Sequence, residues 1–376
     1  MKQNDIDWAI EKVECHLPKN TTIAVGMSGG VDSAVAAALL RQSGYTVIGL
    51  FMKNWDEGDS CPAEQDAQDV AKVAKIINIP FYTVSFAKEY KEQVFDHFLR
   101  ELQAGVTPNP DILCNREVKF KLLLEKALSI GADSLATGHY ARNRPTEHGY
   151  LLEKADDPSK DQSYFLYTAT QASLQKTVFP LAGLQKKEVR RIASILKLPV
   201  ATKKDSTGIC FIGERNFREF LKPFLGNSPG PMISVEGKIL GQHVGLAYYT
   251  IGQRKGLGIG GPGDAWFVVE KDISSNTLLV AQGENHPALF TNHLVAHQPH
   301  WVSGTAPSFP FSCTAKIRYR QEDRHCTVHQ KDSNTLEVYF PEPQRAVTPQ
   351  QSIVFYDKNV CLGGAFISYA GKRDVV

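Results

Sequence analysis

The sequence predicts an α/β protein: a doubly wound, mainly parallel sheet first, then a small mixed β segment, then a C-terminal β-barrel. Three observations carry that reading. Up to residue 213, apolar strand-like runs alternate with helix-like stretches, the pattern of a parallel sheet covered by helices. The pattern changes after about Gly213, and from Met232 onward glycine, proline and short alternating runs dominate while helices all but disappear. The chain has 376 residues, 42% hydrophobic and 22% charged, enough for two or three buried cores. The expected division is 1–213, 214–290 and 291–376.

The first strand, Thr22-Ile23-Ala24-Val25, runs into Gly26-Met27-Ser28-Gly29-Gly30-Val31-Asp32-Ser33 and on into a helix through Leu40. Strand, glycine turn and helix together make a phosphate site. Glycines let the backbone approach an anion, Ser28 and Ser33 add hydroxyl donors, and the helix start aims its unpaired amides at the same point. Asp32 is unfavourable beside phosphates unless a divalent cation lies between, which makes it a candidate Mg2+ ligand. No Gly-Lys-Ser/Thr closes the loop, so it is not a Walker loop. It resembles instead the PP-loop of the N-type ATP pyrophosphatases, signature Ser-Gly-Gly-x-Asp-Ser, which implies an adenine nucleotide α-hydrolase-like domain that splits ATP into AMP and pyrophosphate.

The elements that follow fit such a sheet. Residues 46–52 form a second buried strand, 63–78 a helix closed by Ile79-Pro80, 81–84 a strand, and 88–102 a helix. A helix over 117–129 stops at Gly131, and 134–138 is a further strand. Ligands of these sheets lie at the carboxyl ends of the strands, which places Met52 and Gly138 where adenosine would sit. Later strands are expected at 265–269, 277–280, 314–317, 336–340 and 352–356. The last of them turns at Asp357-Lys358-Asn359 into a terminal hairpin strand, 360–367. Gly256 to Gly261 satisfies G-x-G-x-x-G, but Pro262-Gly263 stands where a helix should begin, so it reads as a loop; with Gln253-Arg254-Lys255 before it, it is a candidate to order on RNA.

Composition narrows the class. The apolar runs are too short for a membrane span, and residues 1–20 lack a signal peptide's apolar core, so a cytoplasmic protein is expected. The seven cysteines include no Cys-x-x-Cys pair, which argues against a zinc ribbon, a thioredoxin-type pair or an iron–sulfur cluster. Net charge is +2, so a nucleic-acid partner must be met by local patches: Lys186-Lys187 with Arg190-Arg191, Lys203-Lys204, Arg254-Lys255 and Arg318-Tyr319-Arg320.

Two further centres carry chemistry. In Thr107-Pro108-Asn109-Pro110-Asp111-Ile112-Leu113-Cys114-Asn115-Arg116, the prolines fix a turn, Asp111 is a candidate helix cap, and Cys114 falls in the first helical turn near Arg116 and Lys119. A thiol there is expected to favour its nucleophilic thiolate. Lys203 to Gly213 puts Cys210 in a loop of small and polar residues. With the PP-loop, Asn-Pro-Asp-x-x-Cys-Asn and Gly-Ile-Cys-Phe-Ile-Gly in this order, and with Gly138-His139-Tyr140, Lys160-Asp161-Gln162-Ser163-Tyr164, Arg318-Tyr319-Arg320 and the terminal hairpin, the whole chain resembles the bacterial tRNA-specific 2-thiouridylases.

That resemblance implies ATP-dependent replacement of the carbon-2 oxygen of the wobble uridine by sulfur in lysine, glutamate and glutamine tRNAs. By similarity Cys210 carries a persulfide received from a sulfur-relay protein or cysteine desulfurase, Cys114 is the nucleophile, and the two end as a disulfide. Asp111 is the candidate general acid or base. Gly26 to Ser33 (Gly26, Met27, Ser28, Gly29, Gly30, Val31, Asp32, Ser33), Met52 and Gly138 match ATP-binding positions. Asn109, Pro110 and Asp111 match the segment touching the flipped-out base, and His139, Lys160, Asp161, Gln162, Arg318, Tyr319 and Gln351 match tRNA contacts. A monomer is expected. The family pattern has glycine just before Gln351, where this chain has Gln350, and no role is assigned to the N-terminal extension through Lys19. An amidotransferase or synthetase would leave the two loop cysteines unexplained, an iron–sulfur thiolase needs the missing Cys-x-x-Cys, and a non-catalytic nucleotide sensor predicts that either cysteine is dispensable.

Overall fold

The computed structural model describes residues 6–55, 62–205 and 216–371. The first sheet contains β1 (Thr22–Met27), β2 (Thr46–Lys53), β3 (Phe81–Ser85) and β4 (Ser134–Thr137). A hairpin of β5 (Ala141–Thr146) and β6 (Gly149–Lys154) then leaves that sheet, and β7 (Thr177–Val178) returns to it. The order is β3-β2-β1-β4-β7 and every pairing is parallel. The order reverses at β1, and in sheets of this kind ligands bind at the strand ends beside such a reversal. Ile23, Ala24 and Val25 of β1 are fully buried. The alanine-rich helix Val31–Gln42 is buried nearly all round, because it lies between the sheet and the helix Lys186–Ile195.

The N-terminal extension is a strap across this unit. Ile6 and Ala9 enter the core beneath the helix Val31–Gln42, Lys12 pairs with Glu188 at 2.8 Å, and Glu14 takes a two-pronged bond from Arg142. Its sequence carried no motif because its role is packing.

The central unit holds β8 (Gly230–Ser234), β9 (Ile239–His243), β10 (Trp266–Asp272) and β11 (Thr277–Gln282), ordered β10-β11-β8-β9. It is entered through a helix, Phe217–Leu225, capped by the Asn216 side chain. This helix lies ahead of Met232, in a stretch to which the sequence assigns no element. Phe220 and Phe224 of this helix pack on Phe95 of the first unit, so the helix exists to join two cores.

The last unit is a closed six-stranded barrel of β12 (Phe290–Trp301), β13 (Phe311–Lys316), β14 (Arg324–Asp332), β15 (Thr335–Arg345), β16 (Ser352–Asp357) and β17 (Val360–Gly371). The order is β12-β15-β14-β13-β16-β17, and β17 pairs back onto β12. The terminal hairpin forms as expected, with Lys358 in the left-handed region at its turn. Beyond the sequence reading, β6 pairs with β17, so the hairpin of the first unit extends the barrel wall. Among the described residues no helix is long and apolar enough to cross a membrane.

Candidate active site

The site starts where β1 ends. Gly29 adopts φ +74°, and a Cβ there would stand 2.8 Å from Asp66, so the turn requires glycine. Gly30 caps the helix in extended geometry without a side-chain cap. Ser28 N donates to Ser33 Oγ at 3.1 Å, and Ser33 Oγ donates to the Gly30 carbonyl at 3.3 Å, which closes the loop into a ring around the helix start. The first amides of the helix therefore face an anion cradle. Gly138, at the end of β4, backs this turn: a Cβ on it would lie 2.6 Å from Ser33 N. Met52 is half-buried at the end of β2, and nearby Asn54 has a buried amide oxygen without a hydrogen-bond partner among the described residues.

Asp32 sits in a charge network that sequence reading missed. Lys186 Nζ donates to both Asp32 oxygens at 2.7 Å and lies 2.8 Å from Asp205; Tyr140 donates to Asp32 at 2.8 Å. Asp205 also accepts from Arg190 and Lys160 at 2.7 Å. Burial alone would raise the Asp205 pKa, but the bonds from Lys160 and Lys186 pull it down to about 2. Lys203 grips Asp66 and Asp69, both at 2.7 Å. Among the candidate basic patches, Lys186, Arg190 and Lys203 are engaged by carboxylates of the chain itself: Asp32 and Asp205, Asp205, and Asp66 and Asp69 respectively. Lys187, Lys204, Arg254 and Lys255 stay exposed.

The donor set around Asp32 holds no group of three or more His, Cys, Asp or Glu that could cage a metal among the described residues. One carboxylate next to an anion cradle does suit Mg2+, which is usually held by one or two carboxylates together with substrate phosphates and water.

The second centre differs in detail from its expectation. Its helix runs continuously over 110–129, with Pro110 in the first position, Asn109 as the cap, and a π-helical stretch from Cys114 to Leu123. Asp111 is therefore inside the helix and is not its cap, because Pro110 already meets the needs of the first turn. Cys114 lies one turn further in and is 2% exposed. Arg116 points away to Glu117 at 2.7 Å. Burial raises the Asp111 pKa, opposed by Lys119, so its protonated form is favoured relative to an exposed carboxylate. Lys119 also meets His139 Nε2 at 3.5 Å, while His139 Nδ1 pairs with Thr137 Oγ1 at 2.8 Å. Burial and Lys119 depress the His139 pKa well below its ordinary value, which leaves the ring neutral.

These contacts bring the two centres together. Lys119 reaches His139, Gly138 backs onto Ser33, and Leu123 of the same helix lies against Gly26. Cys210 and the rest of Ser206 to Gly213 lie outside the described residues.

Several expected tRNA contacts are structural here. Asp161 is 4% exposed, accepts from Ala155 N and from Ser163, and pairs with Lys316. Its side chain is thus committed to partners within the chain in the absence of tRNA. Gln162 accepts from Tyr140 N at 3.0 Å, and Lys160 is held by Asp205. Tyr319 packs tilted against Phe165, ring centroids 4.4 Å apart, and donates to the Lys160 carbonyl. Arg318 donates to the carbonyls of Ile251 and Ala346, and Gln351 to those of Thr107 and Pro108. Gln350 has φ +65°, the left-handed region in which glycine is at ease, which accounts for the glycine of the family pattern.

Comparison with known proteins agrees with this arrangement. Residues 21–214 match the tRNA methyl transferase HUP domain family, 218–282 its PRC-barrel domain, and 291–367 the aminomethyltransferase beta-barrel domain. The chain is 55% identical to the tRNA-specific 2-thiouridylase MnmA of Protochlamydia amoebophila over 93% of its length and 94% of that protein. It is 51% identical to the protein of that name from Halalkalibacterium halodurans, over 96% of this chain and 98% of that one. The chain belongs to the tRNA-specific 2-thiouridylase family. All three matched domains follow one another on this chain.

Proposed function

We propose that this protein replaces the carbon-2 oxygen of the wobble uridine of tRNA with sulfur at the expense of ATP. One observation carries the reading: the helix bearing Asp111 and Cys114 is linked to the loop at Ser28–Ser33 through the Lys119–His139 contact and the close approach of Gly138 to Ser33. A urea-like carbonyl is a poor electrophile and oxide does not leave. Attack of the uridine oxygen on the α-phosphorus of ATP expels pyrophosphate and converts that oxygen into part of AMP. The loop amides and Ser28 hold the departing pyrophosphate, and Asp32 would be the residue to hold a Mg2+, which would offset the phosphate charge.

The terminal sulfur of a Cys210 persulfide adds to carbon 2. The Cys114 thiolate attacks Cys210 Sγ, the persulfide S–S bond breaks, and its electron pair stays with the transferred sulfur. AMP then leaves with the original oxygen, and a Cys114–Cys210 disulfide remains for an external thiol to reduce. Asp111, favoured in its protonated form by burial, donates or takes the uracil proton. Supporting roles fall to Met52 at the adenosine, to Asn109 and Pro110 at the base, and to exposed Arg254 and Lys255 along the tRNA. Lysine, glutamate and glutamine tRNAs as acceptors, a sulfur-relay protein or cysteine desulfurase as donor, a cytoplasmic setting and a monomeric state belong to the same reading.

The test is nucleotide turnover. AMP and pyrophosphate should form when unmodified tRNA is supplied and stay at background with tRNA already carrying 2-thiouridine; equal release with both would remove the uridine oxygen as acceptor.

A further inference from the structure

The loop that leads into the Asp111 helix is gripped from both later units. Gln351 of the barrel donates to the Thr107 carbonyl at 2.8 Å and to the Pro108 carbonyl at 3.2 Å. Lys271 of β10 donates to Thr107 Oγ1 at 3.2 Å and to the Tyr249 carbonyl at 2.9 Å. Ile273 lies against Gly105, where a Cβ would stand 2.8 Å from its side chain. The two grips are themselves joined, since Arg318 spans Ile251 of the central unit and Ala346 and Thr348 of the barrel. Gln351 is fixed in turn, because its carbonyl accepts from Ile367 N and its amide donates to Thr348 O.

We infer that Lys271, acting with Gln351 through Thr107, is a positioning residue: it sets the base-facing segment Asn109–Asp111 against the PP-loop and couples tRNA docking on the central unit and barrel to the chemistry in the first unit. Placement supports this. Pro108 is buried and two prolines stiffen 108–110, so a displacement at Thr107 passes to Asp111 with little loss. Burying a lysine among two neutral acceptors is also costly, and desolvation lowers the Lys271 pKa to about 8. Two hydrogen bonds to the loop and its neighbour are the evident return. The inference rests on the reading that Asn109–Asp111 faces the reacting uridine.

The experiment uses the full-length enzyme with unmodified lysine tRNA. Thr107→Val removes the hydroxyl at nearly constant shape, Thr107→Ser restores it, and Lys271→Met removes the ammonium while keeping the stem. Thr107→Val and Lys271→Met should each lower kcat by about tenfold or more, the loss expected of a misplaced reacting group. The tRNA dissociation constant and the KM for ATP should stay within about twofold, Thr107→Ser should recover activity, and the double variant should lose no more than either single one. Wild-type kcat in Thr107→Val overturns the inference. So does a parallel loss of tRNA affinity, which would make these residues direct RNA contacts. If Lys271→Met fails to fold, Thr107→Val against Thr107→Ser still decides. Asp111→Asn is measured alongside: full activity there removes the underlying reading, whereas an inactive Asp111→Asn with normal Thr107→Val removes only the positioning role.

Discussion

Gly138→Ala probes the link between β4 and the phosphate loop. The added Cβ would lie 2.6 Å from Ser33 N, 2.9 Å from the Asp32 carbonyl carbon and 3.0 Å from Ser33 Cα. All three neighbours are backbone, so no rotamer relieves the contact. Ordinary contact begins at 3.4 Å, so the end of β4 and the start of the helix must separate by about 0.8 Å. Overpacking of this kind costs about 1–3 kcal/mol, and the atoms that move are those lining the anion cradle. Affinity for a non-hydrolysable ATP analogue, measured by calorimetry, should fall by roughly 10- to 100-fold. Gly44→Ala is the control: Gly44 has φ +90° with nothing within 4 Å of its Cβ position, so it costs about 1 kcal/mol of stability while leaving the cradle intact. If Gly138→Ala binds the analogue as tightly as wild type, the close approach of β4 does not shape the site and the reasoning fails.

Lys186→Met leaves Asp32 without its cation beside the triphosphate, so ATP affinity should drop at least about tenfold, whereas exposed Lys187→Met should change it little; calorimetry separates the two. Gln350→Gly relieves a left-handed backbone and should raise stability by roughly 0.5–1 kcal/mol in denaturant titration, with thiolation unchanged. Asp205 is held near pKa 2, below its ordinary 3.8, so the stability it contributes is fully present above that ordinary value and is lost as pH falls toward 2. Asp205→Asn should cost at most about 2 kcal/mol at neutral pH and flatten the acid limb of the stability profile between those values.

The phosphate loop was legible in the sequence because its chemistry is local: strand, glycines, serines and helix follow one another, and the structure leaves the helix start uncapped by any side chain. The parallel sheet was legible for the same reason, since each buried strand is a continuous apolar run. What escaped depends on distant partners. Nothing near Lys186 in the chain points to Asp32, and Tyr140 and Asp205 join it only across the folded sheet. β5 and β6 received no assignment from the sequence, and the partner of β6 outside the hairpin, β17, lies some 200 residues later. The helix Phe217–Leu225 was hidden by the glycines and prolines around it and is held by aromatic packing against Phe95. Asp111 was placed two residues off as a cap, since Pro110 at the first helical position puts the cap at Asn109. The donors of Arg318 and Gln351 reach backbone carbonyls of neighbouring units, partners that no local sequence pattern shows.

The central claim is sulfur transfer to tRNA through two cysteines, and its most direct test is ATP-dependent sulfur incorporation into unmodified lysine tRNA. A persulfide donor supplies the sulfur, and thiolated tRNA is read by retardation on a mercury gel for wild type, Cys114→Ser and Cys210→Ser. The account predicts retarded tRNA with wild type and none with either variant. Wild-type conversion of ATP to AMP without retarded tRNA, or full retardation with either serine variant, would contradict it.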